Sequence, residues 1–293
     1  MAFLSPVAPG ELTLWRGLAW AASLISAFIL GLGLSADALA LIAPEVHRAL
    51  EAQRALSGPD RLYQEALLFG AVTLGEALCA VLMLWISRGL FLRAPWTFVA
   101  PARPWSWRMT LIGASIGVMM VALIAGLDQD PADRISPPVF DTAYPVVERV
   151  IYALGLAPVV LLATAAEEIL FRGILTQVLS GLTRNRLVLA LFSGAIFALA
   201  HGDPSPAGLA VRWALGAAWT WSVLELAGLE FALGAHFFYD WLILTLAAPP
   251  STGIGKAISW SFSLQDSAIT LGLLVVSLAG VTLAKRLQLR SQR

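Results

Sequence analysis

Residues 165–173 read AAEEILFRG and place Glu167, Glu168 and Arg172 in an otherwise apolar stretch. A charge near the centre of a bilayer costs about 3 kcal/mol on insertion scales, so residues kept there usually do something. Two of the three histidines, His201 and His236, also lie in apolar segments. FALAH puts Phe197 and His201 four apart on one helical face, and HFFYD does the same for His236 and Asp240. A carboxylate one turn from an imidazole can accept its N–H and set its tautomer. Glu168 and Arg172 are likewise four apart with the acid first, the better order for an ion pair. Glu167 points about 100° around the helix from Glu168, so the two adjacent acids need not share a role. A carboxylate and an imidazole that share one water are equipped for general acid–base chemistry. The same residues have plainer readings: Glu168 and Arg172 as a self-neutralising structural pair, and each histidine as a group that hydrogen-bonds between helices.

The elements that position these groups follow from composition. The chain has 293 residues, 58% hydrophobic and 13% charged, with a mean hydropathy of +0.78. Soluble domains carry about 25% charged residues, so this composition indicates a polytopic all-α membrane protein. A net charge of zero argues against a nucleic-acid partner, which requires a basic face. Apolar runs at 17–35, 66–87, 109–127, 187–202, 231–248 and 268–284 each suit a span. The run 150–182, with a helix expected from about 157 because Pro158 fits a first turn, and the run 207–225 bring the total to eight. The expected fold is a single membrane domain over 1–293, with residues 150–248 as the core that carries the motifs. Residues 36–65 suit an amphipathic interfacial helix, and 88–108, rich in arginine and tryptophan, an interfacial belt. Residues 128–149, acidic and proline-rich, read as an exposed loop. The run at 17–35 is too long for a signal-peptide core and reads as an uncleaved first span. The one cysteine, Cys79, rules out an intrachain disulfide and reads as a packing residue. Glu76 in the second span is an acid for which an interhelical hydrogen bond is the default.

Orientation comes from lysine and arginine. One side of an eight-span arrangement carries eleven of them and the other seven, with Arg172 inside a span. The positive-inside rule then puts both termini in the cytoplasm. Residues 183–186 make a short turn between the fourth and fifth spans. Glu167 and His201 then both lie roughly 21–23 Å from that turn at 1.5 Å per residue, a matched depth. His236 lies only five residues into its segment if that begins at 231. Meeting the other two requires the segment to start near residue 222, with Glu225 and Glu230 partly buried.

EEILFR fits EExxxR, FALAH fits FxxxH, and HFFYD fits Hxxx followed by Asn or Asp, in that order and each inside an apolar segment. Over about residues 150–248 the chain resembles the CAAX-processing and bacteriocin-processing membrane endopeptidases (the CPBP or ABI family). The resemblance implies an eight-helix bundle around an intramembrane polar cavity, working as a glutamate-dependent protease. Glu167 would be the general base, assisted by His201. His236 and Asp240 would bind and polarise the scissile carbonyl, and Glu168, Arg172 and Phe197 would support them. Asp240 departs from members with Asn at this position. An ionised aspartate accepts but does not donate, so orienting His236 is the role expected of it. The partners implied are the lipid bilayer and a membrane-anchored protein or peptide: a prenylated CAAX-like protein, a C-terminal sorting tail or a bacteriocin-like precursor. The location implied is the bacterial inner membrane. No cofactor is expected. A zinc set of Glu167, His201 and His236 is the alternative, since two histidines and a carboxylate with an open position form a known catalytic arrangement, although HExxH is absent. A catalytically silent binding or immunity protein of the same fold remains open, as does a proton-coupled transporter, which would show repeated halves.

Overall fold

In hydrocarbon a backbone group must find its partner within its own segment or a closed sheet, so apolar runs of this length wind into helices. The computed structural model describes residues 12–52, 54, 56, 59–99, 104–127, 138–246 and 260–290. Among these the chain forms helices α1 (Leu14–Ile42), α2 (Pro44–Glu51), α3 (Arg61–Phe91), α4 (Trp107–Leu127) and α5 (Val146–Leu179). They continue with α6 (Arg186–Ala200), α7 (Pro206–Leu226), α8 (Glu230–Leu246) and α9 (Leu264–Arg290). The protein is an all-helical membrane bundle.

Among the described residues five helices, α1, α3, α4, α5 and α9, are long and apolar enough to cross a membrane. α6 is apolar but has 15 residues. α7 and α8, of 21 and 17 residues, are less apolar along their length. Much of their surface is covered by protein: Leu215, Trp219, Val223, Phe231, Ala232 and Ala235 are all buried, and such helices need no continuous lipid-facing apolar surface.

Several boundaries differ from the sequence reading. α5 starts at Val146, so Pro158 lies inside it rather than in its first turn. The helix tolerates the proline because its earlier turns are anchored: Tyr152, Leu156 and Val160 are buried against Leu244 and Leu62, and Trp241 donates to the Ala153 carbonyl at 2.9 Å. The interfacial helix expected over 36–65 is confined to α2, where Val46 is fully buried. Ala36 to Ile42 extend α1, and Leu62 belongs to α3. The exposed loop expected at 128–149 gives way to α5 from Val146, and its residues 128–137 lie outside the described ones, as does Arg103 of the arginine–tryptophan belt.

Two packed cores meet along α5. One gathers α4, α6, α7, α8 and α9 around Met120, Phe197, Trp219 and Phe231. The other joins α1 and α3 to α5 through Trp20, Met83, Cys79, Phe98 and Ile174. Ile169 and Phe171 of α5 touch both. Small residues allow the close approaches between helices. A Cβ on Gly31 of α1 would stand 2.7 Å from the Gly75 carbonyl oxygen of α3, and one on Gly194 of α6 would stand 2.6 Å from the Ala217 nitrogen of α7.

Candidate active site

The site is built where α5 changes its winding. Glu168–Leu175 form a π-helix, in which one extra residue per turn is packed into the helix; such turns concentrate at functional sites. The turn is held by hydroxyls. Thr176 donates from its backbone N–H and, at 2.8 Å, from Oγ1 to the Phe171 carbonyl five residues back. Ser193 of α6 donates to the same carbonyl at 3.2 Å, and Thr220 of α7 donates to Ser193 at 3.1 Å. The chain of hydroxyls thus ties α5 to α6 and α7 behind the two glutamates.

Glu168 and Arg172 face inward, 1% and 0% exposed. The Arg172 guanidinium lies 3.1 Å from Glu168 Oε1 and is stacked 4.1 Å from the Phe197 ring centroid and 5.3 Å from that of Trp219. Phe197 therefore covers a buried cation, and its ring centroid lies 4.5 Å from that of His201, with the planes at 66°. Glu168 Oε1 accepts from His236 Nδ1 at 2.8 Å, while Asp240 Oδ2 lies 3.1 Å from His236 Nε2. A carboxylate faces each ring nitrogen, and both can accept only when both nitrogens carry hydrogen. The sequence reading paired His236 with Asp240 alone; the Glu168 bond spans 68 positions and has no local signature. Trp219 lies over the imidazole of His236 at 4.2 Å and 32°.

Glu167, rotated away from this pair, reaches the other side. Its Oε2 is 4.0 Å from His201 Nε2 and 3.6 Å from His236 Nε2. These separations exceed a direct hydrogen bond and suit one shared water. The Phe197 carbonyl lies 2.8 Å from His201 Nδ1. A carbonyl can only accept, so Nδ1 carries the hydrogen and, in the neutral ring, Nε2 is an acceptor turned toward Glu167. The three side chains meet although α8 begins at Glu230 and not near residue 222. The α7–α8 connection is itself sunk in the bundle, with Leu226, Leu229 and Glu230 1%, 3% and 3% exposed, so the first turns of α8 already lie at depth. Glu230 is satisfied there by the Ser106 N–H at 3.0 Å, and Glu225 by Arg186 at 2.5 Å and by Lys285.

These groups open onto a cavity of about 520 Å3 lined by α3, α5, α6, α7, α8 and α9. Glu76 of α3 lines it beside Glu167 and Asp240 and interacts electrostatically with both and with His236. It was visible in the sequence as an acid in a span, but not as part of this site. Trp219 had no signal that set it apart from other span aromatics. Asp203 and Arg212, 2.6 Å apart, stand at the rim. Burial would raise the Asp203 carboxyl, but hydrogen bonds from Arg212 and Ser205 outweigh it and hold the carboxyl below its usual value of 3.8. The rim lies at the bundle end opposite the 183–186 turn, because α6 runs from that turn to His201. Among the described residues no group of three or more His, Cys, Asp or Glu side chains is arranged to hold a metal ion.

Residues 149–242 match the family model of the Rce1-like type II CAAX prenyl endopeptidases. That segment contains all three motifs, so the resemblance to CAAX-processing membrane endopeptidases holds over it. The chain is 27% identical over 167 residues to YyaK of Bacillus subtilis (strain 168), described as an uncharacterized protein. The match covers 54% of each protein, so the chain spans about half the length of this curated relative. No solved structure matches the chain.

Proposed function

We propose that the chain is an intramembrane endopeptidase in which Glu167 activates water for attack on a peptide bond of a membrane-associated substrate. One observation carries this reading: the Glu167 carboxylate stands between the Nε2 atoms of His201 and His236, at 4.0 and 3.6 Å, on the wall of an intramembrane cavity. A water held by Glu167 and His201 directs its oxygen lone pair outward. Glu167 takes a proton as that oxygen bonds to the scissile carbonyl carbon. His236 swings its one Nε2–H from Asp240 to the oxygen where negative charge develops, and a donor aimed there contributes most in a dry site. The proton then passes from Glu167 to the amide nitrogen as the C–N bond breaks, leaving a carboxylic acid and an amine, and the acid's proton passes to the amine on release to give carboxylate and ammonium. Glu168 fixes His236 through Nδ1, and Arg172 holds Glu168. Asp240 sits on the donating nitrogen and supports the cationic ring rather than touching the oxyanion.

The substrate class is a membrane-anchored protein or peptide: a prenylated CAAX-like protein, a C-terminal sorting tail or a bacteriocin-like precursor. With both termini cytoplasmic, the cavity rim beside Asp203 and Arg212 belongs to the outer face, which favours a sorting tail or anchored precursor. The bacterial inner membrane is the corresponding location.

The test compares protein termini in membranes and medium from cells carrying the wild type or Glu167→Gln at matched expression. Shortened products present only with the wild type support the reading, and the position of the cut names substrate and face. Identical profiles from two well-folded proteins would leave a catalytically silent binding protein in its place. Activity that falls on chelation and returns with zinc would replace the glutamate–water scheme with the zinc version.

A further inference from the structure

A second concavity lies at the opposite end of the bundle, about 18 Å along α3 from Glu76 at 1.5 Å per residue. Trp85, Arg88, Leu92, Arg93, Pro95 and Trp96 wall a groove of about 660 Å3, and none of its lining residues is acidic. Its shape follows from the way α3 stops. Leu92 adopts a left-handed conformation with φ 53°, which turns the chain back, and Pro95–Phe98 form a 3-10 turn. The turn is pinned to α5. Phe98 is fully buried, its carbonyl accepts from Gln177 Nε2 at 3.0 Å, and a Cβ on Gly173 would stand 2.7 Å from the same oxygen. The groove is thus a rigid notch between a helix end and a fixed turn.

Its chemistry is that of a membrane interface. The Arg88 guanidinium lies 4.9 Å from the Trp85 ring centroid, and Trp85 and Trp96 are 57% and 70% exposed. α1 runs antiparallel beside α3, with Trp20 donating to Ser87 at 3.1 Å, which brings Trp15 and Arg16 to the same end. α3 has 31 residues and is about 46 Å long, whereas the hydrocarbon layer is about 30 Å thick. With Trp85 and Arg88 in its last turns, that end suits the headgroup layer, where tryptophan and arginine concentrate. This end also holds Arg184, Arg186 and Lys285, the side assigned to the cytoplasm by its excess of basic residues, and the cytoplasmic leaflet carries the anionic lipids.

We propose that this notch binds the phosphate of an anionic phospholipid, with Arg88 and Arg93 meeting the headgroup and Trp85 and Trp96 flanking the start of the acyl chains. The exposed indoles commit the site to a lipid rather than a free anion, which would have no use for apolar walls.

The test uses the full chain in phosphatidylcholine bilayers containing small amounts of brominated phosphatidylglycerol or brominated phosphatidylcholine, with quenching of tryptophan fluorescence as the readout. Each cation near an anionic surface contributes about fivefold, so two arginines predict roughly a 25-fold preference for phosphatidylglycerol. Arg88→Gln/Arg93→Gln removes that preference, Arg88→Lys/Arg93→Lys keeps most of it, and Trp85→Phe/Trp96→Phe removes the lipid-selective part of the quenching. Inorganic phosphate added to the wild type leaves the preference unchanged. Equal quenching by the two brominated lipids overturns the proposal, as does a preference that survives in the glutamine variant. Displacement by inorganic phosphate would also overturn it, by assigning the notch to free anions.

Discussion

Two adjacent glutamates are separated in role by where each points. Glu168 is shut in with Arg172 and His236, whereas Glu167 meets the cavity. Removing one partner of a buried pair leaves an uncompensated charge and costs about 3–5 kcal/mol. Glu168→Ala and Arg172→Ala are therefore expected to lower the thermal unfolding midpoint in detergent sharply. Glu167→Gln should leave the midpoint nearly unchanged while reducing cleavage about 10²–10⁴-fold, the range for losing a general base. At the rim, the Asp203 carboxyl is held below its usual value, so the Asp203–Arg212 pair contributes its stability above the unfolded value near 3.8. That contribution disappears as pH falls through the lower folded value. Stability measured against pH should lose part of its acid-side slope in Asp203→Asn, with no change at neutral pH in that slope.

At the scale of elements, the site depends on how α5, α6, α7 and α8 are spaced and rotated. The π-turn at Glu168–Leu175 sets the rotation of the glutamates relative to the rest of α5. Deleting Ile174 from it should restore α-helical winding and turn the preceding residues by about 100°. Activity should be lost while far-UV circular dichroism still reports the same helix content. Spacing is set by glycine. Gly194→Leu would drive a side chain into the α7 backbone at Ala217 and Trp213, and overpacking of this kind costs about 1–3 kcal/mol. The expected outcome is a lower unfolding midpoint together with weaker cleavage, because His201 sits at the end of the displaced helix.

For the whole molecule, the decisive property is which end faces which compartment. Arg16, Arg88, Arg184, Arg186 and Lys285 gather at one end, and the cavity rim lies at the other. A Cys79→Ala background removes the single thiol, so new cysteines report position cleanly. Leu182→Cys, at a residue 72% exposed beside the 183–186 turn, should react with a membrane-impermeant thiol reagent only after the cells are opened. Pro204→Cys at the rim should react in intact cells. The reverse pattern would place the rim in the cytoplasm and favour a prenylated CAAX-like substrate instead.

The sequence by itself was enough for everything that depends on spacing along one helix. Glu168 with Arg172, Phe197 with His201 and His236 with Asp240 are pairs four apart, and helical geometry brings such residues together wherever the helix lies. Composition alone likewise made the chain an all-helical membrane protein. Contacts between helices had no such guarantee, because they depend on tilt, rotation and depth. The bond from His236 to Glu168, the place of Trp219 over that imidazole and the turning of Glu76 into the cavity came only with the packed bundle. So did the early start of α5, where contacts with α8 outweighed the signal of an internal proline. Local periodicity encodes which face a residue occupies, but only close packing, decided here by glycine contacts and one π-turn, determines what that face meets.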